Sequence, residues 1–524
     1  MNKILKKALA LGVSVFGLTN IANSAEVEAA TKDMPRTVIT QDGEVDDMNS
    51  VIRALLYSNE MDIAGIILTS SVFHYAGDEA KGIKPLRFTG TKWLYKFIDD
   101  YGKVYPNLVK HDPNYPTAEY LRSVTKIGNI KNVGEMDEVT EGSEFLKKLF
   151  LDDDERILYV QTWGGTNTTA RALKSIEEEY KGTAQWEAIR KKLQDKLVIY
   201  IILDQDSSYA DYIAKNWSNL RVLNDRFSFG HFAYFWIEHQ DGVVEKLKAD
   251  WNKKNLLNKG VLMDDYSLID DGKWIEGEWD SEQRGVNYVK NNPVFKQYDF
   301  ISEGDSPSFL YLVNNGLRNY ENPTYGGWGG RFGNFNENGR AINDVMDYNP
   351  VMKRFEGSYS LTRWFDDMQN DFAARAHWCV ADSYKKANHA PKVTVKEGLD
   401  ITAKPGQKVT LTAEASDPDG DKLTYKWWRY FEADTYQDDK RKKPIEMDLN
   451  FQIYEFNITY DHRRDILADE VLDSIKLTGA NTPRVSFTVP NDAKVGDTIH
   501  MIIEVQDNGK HNLKHYQRVI ITVK

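Results

Sequence analysis

Residues 37–47 read TVITQDGEVDD, an apolar run that ends in a dense acidic loop. The apolar residues predict a β-strand, and residues 47–57 predict a helix that follows the loop. Four of the six residues from position 42 to position 47 are acidic: Asp42, Glu44, Asp46 and Asp47. Carboxylates packed this closely repel one another, and a hard cation with oxygen ligands, such as Ca²⁺, would relieve the repulsion. The alternative is an acidic helix N-terminus favoured by the helix dipole.

Apolar runs recur along the next 260 residues, at 62–68, 157–160, 197–203, 221–223 and 298–301, with helical patterns at 168–180 and 209–217. This alternation predicts an α/β domain over residues 35–388, with a mostly parallel sheet and helices on both of its faces. Ligands of such sheets bind beyond the carboxyl ends of the strands. The loops that follow the strands are therefore the candidate site.

Three further loops carry polar side chains at these positions. Residues 161–167 end in Asn167, residues 204–206 hold Asp204 and Asp206, and residues 303–307 hold Asp305. Helix capping is the alternative role for Asp206 and Asp305. The segment 325–332, which contains Trp328, combines glycine with aromatic residues. It predicts either a loop that stacks on a sugar or base, or a packed connector.

A second domain is predicted over residues 390–524. Period-2 strand patterns at 408–413, 423–428, 485–489 and 500–505, separated by turn clusters, are typical of an immunoglobulin-like β-sandwich. The turn at 417–421 reads DPDGD, which predicts a plain turn or a second Ca²⁺ site. Trp427 and Trp428 point to opposite faces of one strand. One ring is expected in the core, and the other is either a carbohydrate platform or a covered side chain.

Residues 1–25 have the layout of a secretory signal peptide, with three lysines in the first seven residues, an apolar run at 8–22 and the ending Asn-Ser-Ala. The alternative is a membrane anchor. We expect an exported bacterial protein, periplasmic or extracellular, that does not insert into the membrane after signal cleavage. The charge balance of 67 Lys+Arg against 79 Asp+Glu argues against nucleic acid as a partner. The single cysteine, Cys379, excludes a disulfide scaffold within the chain.

Taken together, four motifs resemble a known family. The motifs are 41–47 (QDGEVDD), 204–206 (DQD), 303–310 (EGDSPSFL) and 326–331 (GGWGGR). In this order they resemble a secreted bacterial family, labelled cellulose-binding, that joins a nucleoside hydrolase-like domain to a C-terminal immunoglobulin-like domain. The resemblance covers residues 35–524.

The resemblance implies a role for each matching position. It implies that Asp42 is a Ca²⁺ ligand and the general base, that Asp47 and Asp305 are Ca²⁺ ligands, and that Thr162 binds Ca²⁺ through its carbonyl. It also implies that Asp46 hydrogen-bonds the sugar hydroxyls. Among the substrate-binding candidates we place Asp46 with Asn167, Asp204, Asp206 and Trp328.

The chain departs from the nucleoside hydrolases at three places. Thr40 stands where they have an aspartate, Gly43-Glu44 replaces Pro-Gly, and Gly304 replaces a histidine that many use as the leaving-group acid. Two hypotheses follow. The chain is a Ca²⁺-dependent hydrolase of N-glycosyl (nucleoside-like) or related glycosidic bonds, or it is a non-catalytic carbohydrate-binding protein, for a polysaccharide such as cellulose, on the same fold. His231, which lies among aromatic residues, is the best spare proton donor for the first hypothesis, and the alternative is a core or solvent-exposed histidine in an aromatic helix.

Overall fold

The computed structural model describes residues 34–226, 228–234, 236–238, 244–279, 285, 287–335, 340–342, 345–437, 466–467 and 474–524. The predicted signal peptide lies outside these residues. Within them, no helix combines the length and the apolar character needed to cross a membrane.

The strands of the described residues are β1 Arg36–Gln41, β2 Asp62–Leu68, β3 Thr125–Ile127, β4 Leu158–Thr162, β5 Leu197–Ile202, β6 Arg221–Asp225, β7 Gly333–Phe335, β8 Arg340–Ile342, β9 Asp347–Asn349, β10 Arg354–Glu356, β11 Lys392–Val395, β12 Asp400–Ala403, β13 Lys408–Ser416, β14 Thr424–Arg429, β15 Ile466–Leu467, β16 Arg484–Thr488, β17 Thr498–Gln506 and β18 Lys514–Val523. The α-helices are α1 Val45–Leu56, α2 Lys92–His111, α3 Ala118–Ser123, α4 Glu141–Leu151, α5 Asn167–Tyr180, α6 Trp186–Lys196, α7 Ala214–Asn216, α8 Ser228–His231, α9 Ala249–Asn255, α10 Tyr288–Asn291, α11 Ser306–Leu310, α12 Tyr359–Thr362 and α13 Phe365–Trp378.

The first part of the chain is built on an eight-stranded sheet in the order β3-β2-β1-β4-β5-β6-β8-β7. Its neighbouring strands are parallel except for β7, which is antiparallel to β8. Apolar side chains alternate along the strands into two buried clusters, one on each face of the sheet. The predicted α/β class is therefore confirmed.

The predicted late strand at 298–301 is wrong. Within the described ranges, this segment makes a single bridge, between Leu268 and Phe300, and joins no sheet. The Phe300 N–H donates to the carbonyl of Leu247 at 2.9 Å, and Tyr298 has a φ of 72°, which an extended strand does not allow. Asp305 consequently reaches the site from a loop before α11 and not from the end of a sheet strand.

The C-terminal part of the chain forms two facing sheets, β11-β13-β16 and β12-β18-β17-β14. Alternating side chains of both sheets fill one apolar core, which includes Trp427 at 2% exposure. This arrangement confirms the predicted sandwich.

The outer face of this sandwich packs on the α/β part. Tyr430 and Tyr516 join the larger apolar cluster beside the sheet, and the ring of Trp428 lies 6.0 Å from that of Trp364. The guanidinium of Arg363 lies over the ring of Trp428 as well, at 4.9 Å. Of the two alternatives for Trp428, the structure therefore shows a covered side chain and not an open carbohydrate platform.

Candidate metal and substrate site

The acidic loop between β1 and α1 folds back on itself at the carboxyl end of β1. Asp42 and Asp47 are each 2% exposed, and the Asp42 N–H donates to Asp47 Oδ1 at 3.1 Å. The Glu44 N–H donates to Asp42 Oδ1 at 3.2 Å. Gly43 has a φ of +84°, a conformation that glycine adopts without strain. Among the described residues, Asp42 Oδ2 is buried without a hydrogen-bond partner.

Asp46, Asp47 and Asp305 form a carboxylate cluster, in which one oxygen from each residue lies within 4.8 Å of the others. Asp305 is 2% exposed, and its Oδ2 is buried with no hydrogen-bond partner among the described residues. Burial, together with the charges of neighbouring carboxylates, raises the pKa of all three groups well above the usual range. Clustered carboxylate oxygens, one of them buried with no hydrogen-bond partner among the described residues, are suited to a hard cation, so these residues fit a metal ion.

Thr162 ends β4 next to the acidic loop, opposite Thr40 in the parallel register. The following residues run directly along Asp42, because a Cβ on Gly164 would lie 2.9 Å from Asp42 Cβ. The glycine at position 164 therefore allows close approach of a protein side chain. The structure places Thr162 beside the acidic loop, and the predicted use of its carbonyl as a ligand stays a prediction.

Asn167 and Asp206 lie near the site, but their polar atoms bind other parts of the protein. Asn167 Nδ2 donates to Ser70 Oγ and to the carbonyls of Asn129 and Glu135, and its Oδ1 accepts from Thr69. Asp206 accepts from the N–H and hydroxyl groups of Ser208, from Thr166 Oγ1 and from the Asn167 N–H. These two side chains hold the loops after β2, β4 and β5 together, and a substrate role for them remains a prediction.

The other two predicted substrate residues have different surroundings. Asp204 Oδ2 accepts from Arg226 at 2.9 Å. Trp328 is 3% exposed and belongs to the large apolar cluster, so protein side chains already enclose its ring. The ring of Trp328 is therefore packed inside the protein, as expected for a packed connector. A role for Trp328 in substrate binding stays a prediction.

A charged network on the opposite side of Asp42 was not found from the sequence. His74 follows β2 and is fully buried, with Nε2 3.1 Å from Glu278 Oε2 and Nδ1 3.7 Å from Glu44 Oε2. Arg87 donates to Glu44 Oε1 at 3.1 Å and also pairs with Glu278. Burial disfavours a charged His74, but the hydrogen bond to Glu278 and the charges of Asp42 and Glu44 raise its pKa. His74 and Glu278 are 204 positions apart, and no sequence motif joins them.

The position of the missing histidine is filled by neighbouring side chains. A Cβ on Gly304 would lie 2.9 Å from Asp46 Oδ2 and 3.3 Å from Ala233 Cβ. An imidazole at this position would therefore require the Asp46 carboxylate to shift. His231, the spare donor considered from the sequence, is 3% exposed.

Residues 36–332 match a family described as cellulose-binding Sde182, nucleoside hydrolase-like domain. The chain belongs to this family. Residues 408–523 match the C-terminal domain of cellulose-binding protein Sde0182, so both parts of the resemblance inferred from the motifs are confirmed. No curated protein matches the chain.

One solved structure agrees with the Sde182 assignment. A nucleoside hydrolase-related hypothetical protein from Saccharophagus degradans, associated with carbohydrate metabolism, is 25% identical, with a TM-score of 0.64 over 94% of this chain and 100% of that chain. The plant nucleoside hydrolase PpNRh1 is 11% identical, with a TM-score of 0.28 over 66% of this chain and 99% of that chain. The first likeness supports the nucleoside hydrolase-like fold of this Sde182 family member.

Proposed function

We propose that this Sde182 family member is an exported, Ca²⁺-dependent hydrolase of N-glycosyl or related glycosidic bonds. The observation that supports it most is the carboxylate cluster at the carboxyl end of β1, together with the Asp42 and Asp305 oxygens that have no hydrogen-bond partner in the described part of the chain. Export is proposed from the signal-like residues 1–25 alone.

The donor set is suited to Ca²⁺. Asp42, Asp47, Asp305 and the carbonyl of Thr162 offer only oxygen ligands, which a hard cation prefers. A Ca²⁺ ion held there would supply an oriented water with a lowered pKa.

The protein groups around that position have complementary roles. Asp42 Oδ2, which accepts no hydrogen bond from the described residues, can take the proton of a water that attacks the sugar carbon. Asp46 is partly exposed and can accept hydrogen bonds from sugar hydroxyls. The concentrated negative charge favours an oxocarbenium-like transition state. Because Gly304 supplies no leaving-group acid, we expect substrates whose leaving group departs without protonation by a residue at that position.

The test is a screen of nucleosides and aryl glycosides with mature protein in Ca²⁺. We expect release of base or aglycone that stops in excess chelator and falls at least about 100-fold in Asp42→Asn, the size of effect a general base supplies. Asp153→Asn is the matched control, because its carboxyl is fully exposed. Hydrolysis that persists in Asp42→Asn would contradict the assignment of the base.

The second candidate function is carbohydrate binding without catalysis. Trp274 and Trp279 are 62% and 54% exposed, and the Trp279 ring lies 5.1 Å from the guanidinium of Arg87, beside Glu278. Exposed tryptophans can stack on sugar rings through their apolar faces. The position of Trp279 next to the charged network would place a polysaccharide such as cellulose over the same edge of the sheet.

Depletion of the protein from solution by insoluble cellulose tests this alternative. Binding that is lost in Trp274→Ala/Trp279→Ala, but kept in Asp42→Asn and in the control Val495→Ala, would favour the binding protein. Val495 is a suitable control because it is an exposed apolar residue, at 80% exposure, within the sandwich. Equal depletion of wild type and the double tryptophan variant would rule out this surface.

A further inference from the structure

A second group of metal-type ligands adjoins the carboxylate cluster. One oxygen from Asp42, one from Glu44 and one nitrogen from His74 all lie within 4.8 Å of one another. The His74 side chain is completely buried, and its Nδ1 has no hydrogen-bond partner among the described residues. That nitrogen lies 4.0 Å from Asp42 Oδ1 and 3.7 Å from Glu44 Oε2, so it is directed at the two carboxylates.

We propose that Asp42, Glu44 and His74 bind a second divalent ion of the Zn²⁺ class. An imidazole nitrogen with two carboxylate oxygens suits Zn²⁺ and its neighbours in the first transition row better than Ca²⁺, which takes oxygen ligands. Three protein ligands leave a fourth position open, as in zinc sites that carry a water. The ligand set therefore differs in kind from the all-oxygen cluster beside it.

The surroundings of His74 are those of a metal-bound histidine. Its other nitrogen, Nε2, lies 3.1 Å from Glu278 Oε2, and a carboxylate at this position fixes the tautomer and orientation of a ligating imidazole. Arg87 holds Glu278 in turn through its Nε. Arg87 and Tyr234 also donate hydrogen bonds to Glu44 Oε1, at 3.1 and 3.0 Å. Because Oε1 is held in this way, Oε2 is turned toward His74.

The backbone positions the imidazole independently of an ion. Ser71 Oγ accepts from the N–H groups of Phe73 and His74 at 2.9 and 3.2 Å, which closes the turn that carries the histidine. The Val72 N–H donates to the carbonyl of Gln205 at 2.8 Å and fixes this turn to the loop after β5. A side chain held in this way loses little entropy when it binds an ion.

Asp42 connects the two groups. Its Oδ1 faces Glu44 and His74, its Oδ2 has no partner among the described residues, and its N–H donates to Asp47 of the carboxylate cluster. Two ions that share one carboxylate can activate a water jointly. Binding of the second ion does not depend on the proposed hydrolase, whereas any part in water activation rests on it.

The test uses Co²⁺ as a spectroscopic probe for the Zn²⁺ site in chelator-stripped, full-length mature protein. We expect visible d–d absorption that saturates at one Co²⁺, persists in excess Ca²⁺ and is displaced by Zn²⁺. His74→Gln and Glu44→Gln should each weaken Co²⁺ binding at least about tenfold, and Glu278→Gln by about 10–100-fold, the usual effect of losing a partner of a ligating histidine. His377→Gln is the control, because His377 lies in α13 and bonds to the carbonyl of Lys386.

Two outcomes overturn this inference. One is the absence of Co²⁺ absorption in the wild type. The other is an unchanged Co²⁺ affinity in both His74→Gln and Glu44→Gln. In either case the three residues form ion pairs only. Far-ultraviolet circular dichroism identifies a variant that fails to fold, and the remaining variant then decides. Asp305→Asn separates the two proposals, since it should lose Ca²⁺ binding and keep the Co²⁺ signal. An absence of hydrolysis leaves the Co²⁺ result unaffected.

Discussion

Gly304 and Asp46 are in such close contact that a methyl group on the glycine would lie 2.9 Å from Asp46 Oδ2. The carboxylate would have to move, and it belongs to the cluster with Asp47 and Asp305. The glycine at this position is thus part of the geometry of the proposed Ca²⁺ site. A histidine at this position would require the Asp46 carboxylate to move.

Gly304→Ala tests this relationship. We expect Ca²⁺ affinity to fall about tenfold, because extra volume in a packed site typically costs about 1–3 kcal/mol. Calorimetric titration of chelator-stripped protein measures the change. Gly357→Ala is the control, since its Cβ would meet nothing nearer than the carbonyl of Val345 at 3.8 Å. Equal affinities in the two variants would mean that Asp46 moves without disturbing the ion ligands beside it.

Removal of the metal should destabilise the wild type and leave an Asp47→Asn/Asp305→Asn variant unaffected. An ion at 100 times its dissociation constant stabilises the folded state by about 2.7 kcal/mol, so chelator should lower the wild-type melting temperature by several degrees. The variant in chelator should melt above the wild type in chelator, because the substitutions remove two mutually repelling buried carboxylates. Differential scanning calorimetry with and without Ca²⁺ measures both effects. A wild-type melting temperature that does not change when chelator is added would refute an ion at this site.

The stability of an Asp206 variant tests whether this residue has a structural role. Both of its oxygens accept hydrogen bonds from Thr166, Asn167 or Ser208, so Asp206→Ala should lower the free energy of unfolding by about 2–4 kcal/mol. Asp204→Ala, which removes a partly exposed ion pair with Arg226, should cost less than about 1 kcal/mol. Urea unfolding measures both values. A small loss for Asp206→Ala would return this residue to the substrate-binding candidates.

The strands and the acidic loop could be predicted from the sequence because their signals are local. The pattern at 62–68 gives the bounds of β2, and the loop at 41–47 places Asp42, Asp46 and Asp47 together whatever the rest of the chain does. The apolar run at 298–301 pointed to the loop that holds Asp305, but only the resemblance predicted Asp305 as a metal ligand. Its loop reaches the site although the apolar run before it pairs with no sheet strand, which periodicity alone does not reveal.

The charged network could not be predicted, because its members meet only in the folded chain. His74 lies in a short turn with no motif of its own, and Glu278 comes from a segment far along the chain. The sequence favoured His231 as the spare histidine because aromatic residues surround it. Lone histidines carry no directional signal in a sequence, so their partners become known only from the tertiary structure.

We expect the stability of the sandwich to depend on pH through Asp507. Burial raises the pKa of Asp507 to about 6. The hydrogen bonds that its carboxylate accepts from Asn388, Gly509 and Leu513 lower the pKa and only partly offset the effect of burial. An unfolded aspartate titrates near pH 3.9, so between about pH 4 and pH 6 the folded state binds more protons than the unfolded state. The stability that Asp507 contributes is therefore complete below about pH 4 and is lost as the pH rises through 6.

Asp507→Asn removes this titration and keeps an oxygen acceptor for the N–H groups of Gly509 and Leu513. The wild-type melting temperature minus that of the variant should therefore fall between pH 4 and pH 7 and then level off. Melting curves in chelator measure this difference without an ion at the neighbouring 417–421 turn. Asp153→Asn, whose carboxyl is fully exposed, serves as the control for the general effect of removing one acid. A difference that rises with pH would show that the hydrogen bonds to the Asp507 carboxylate outweigh its burial.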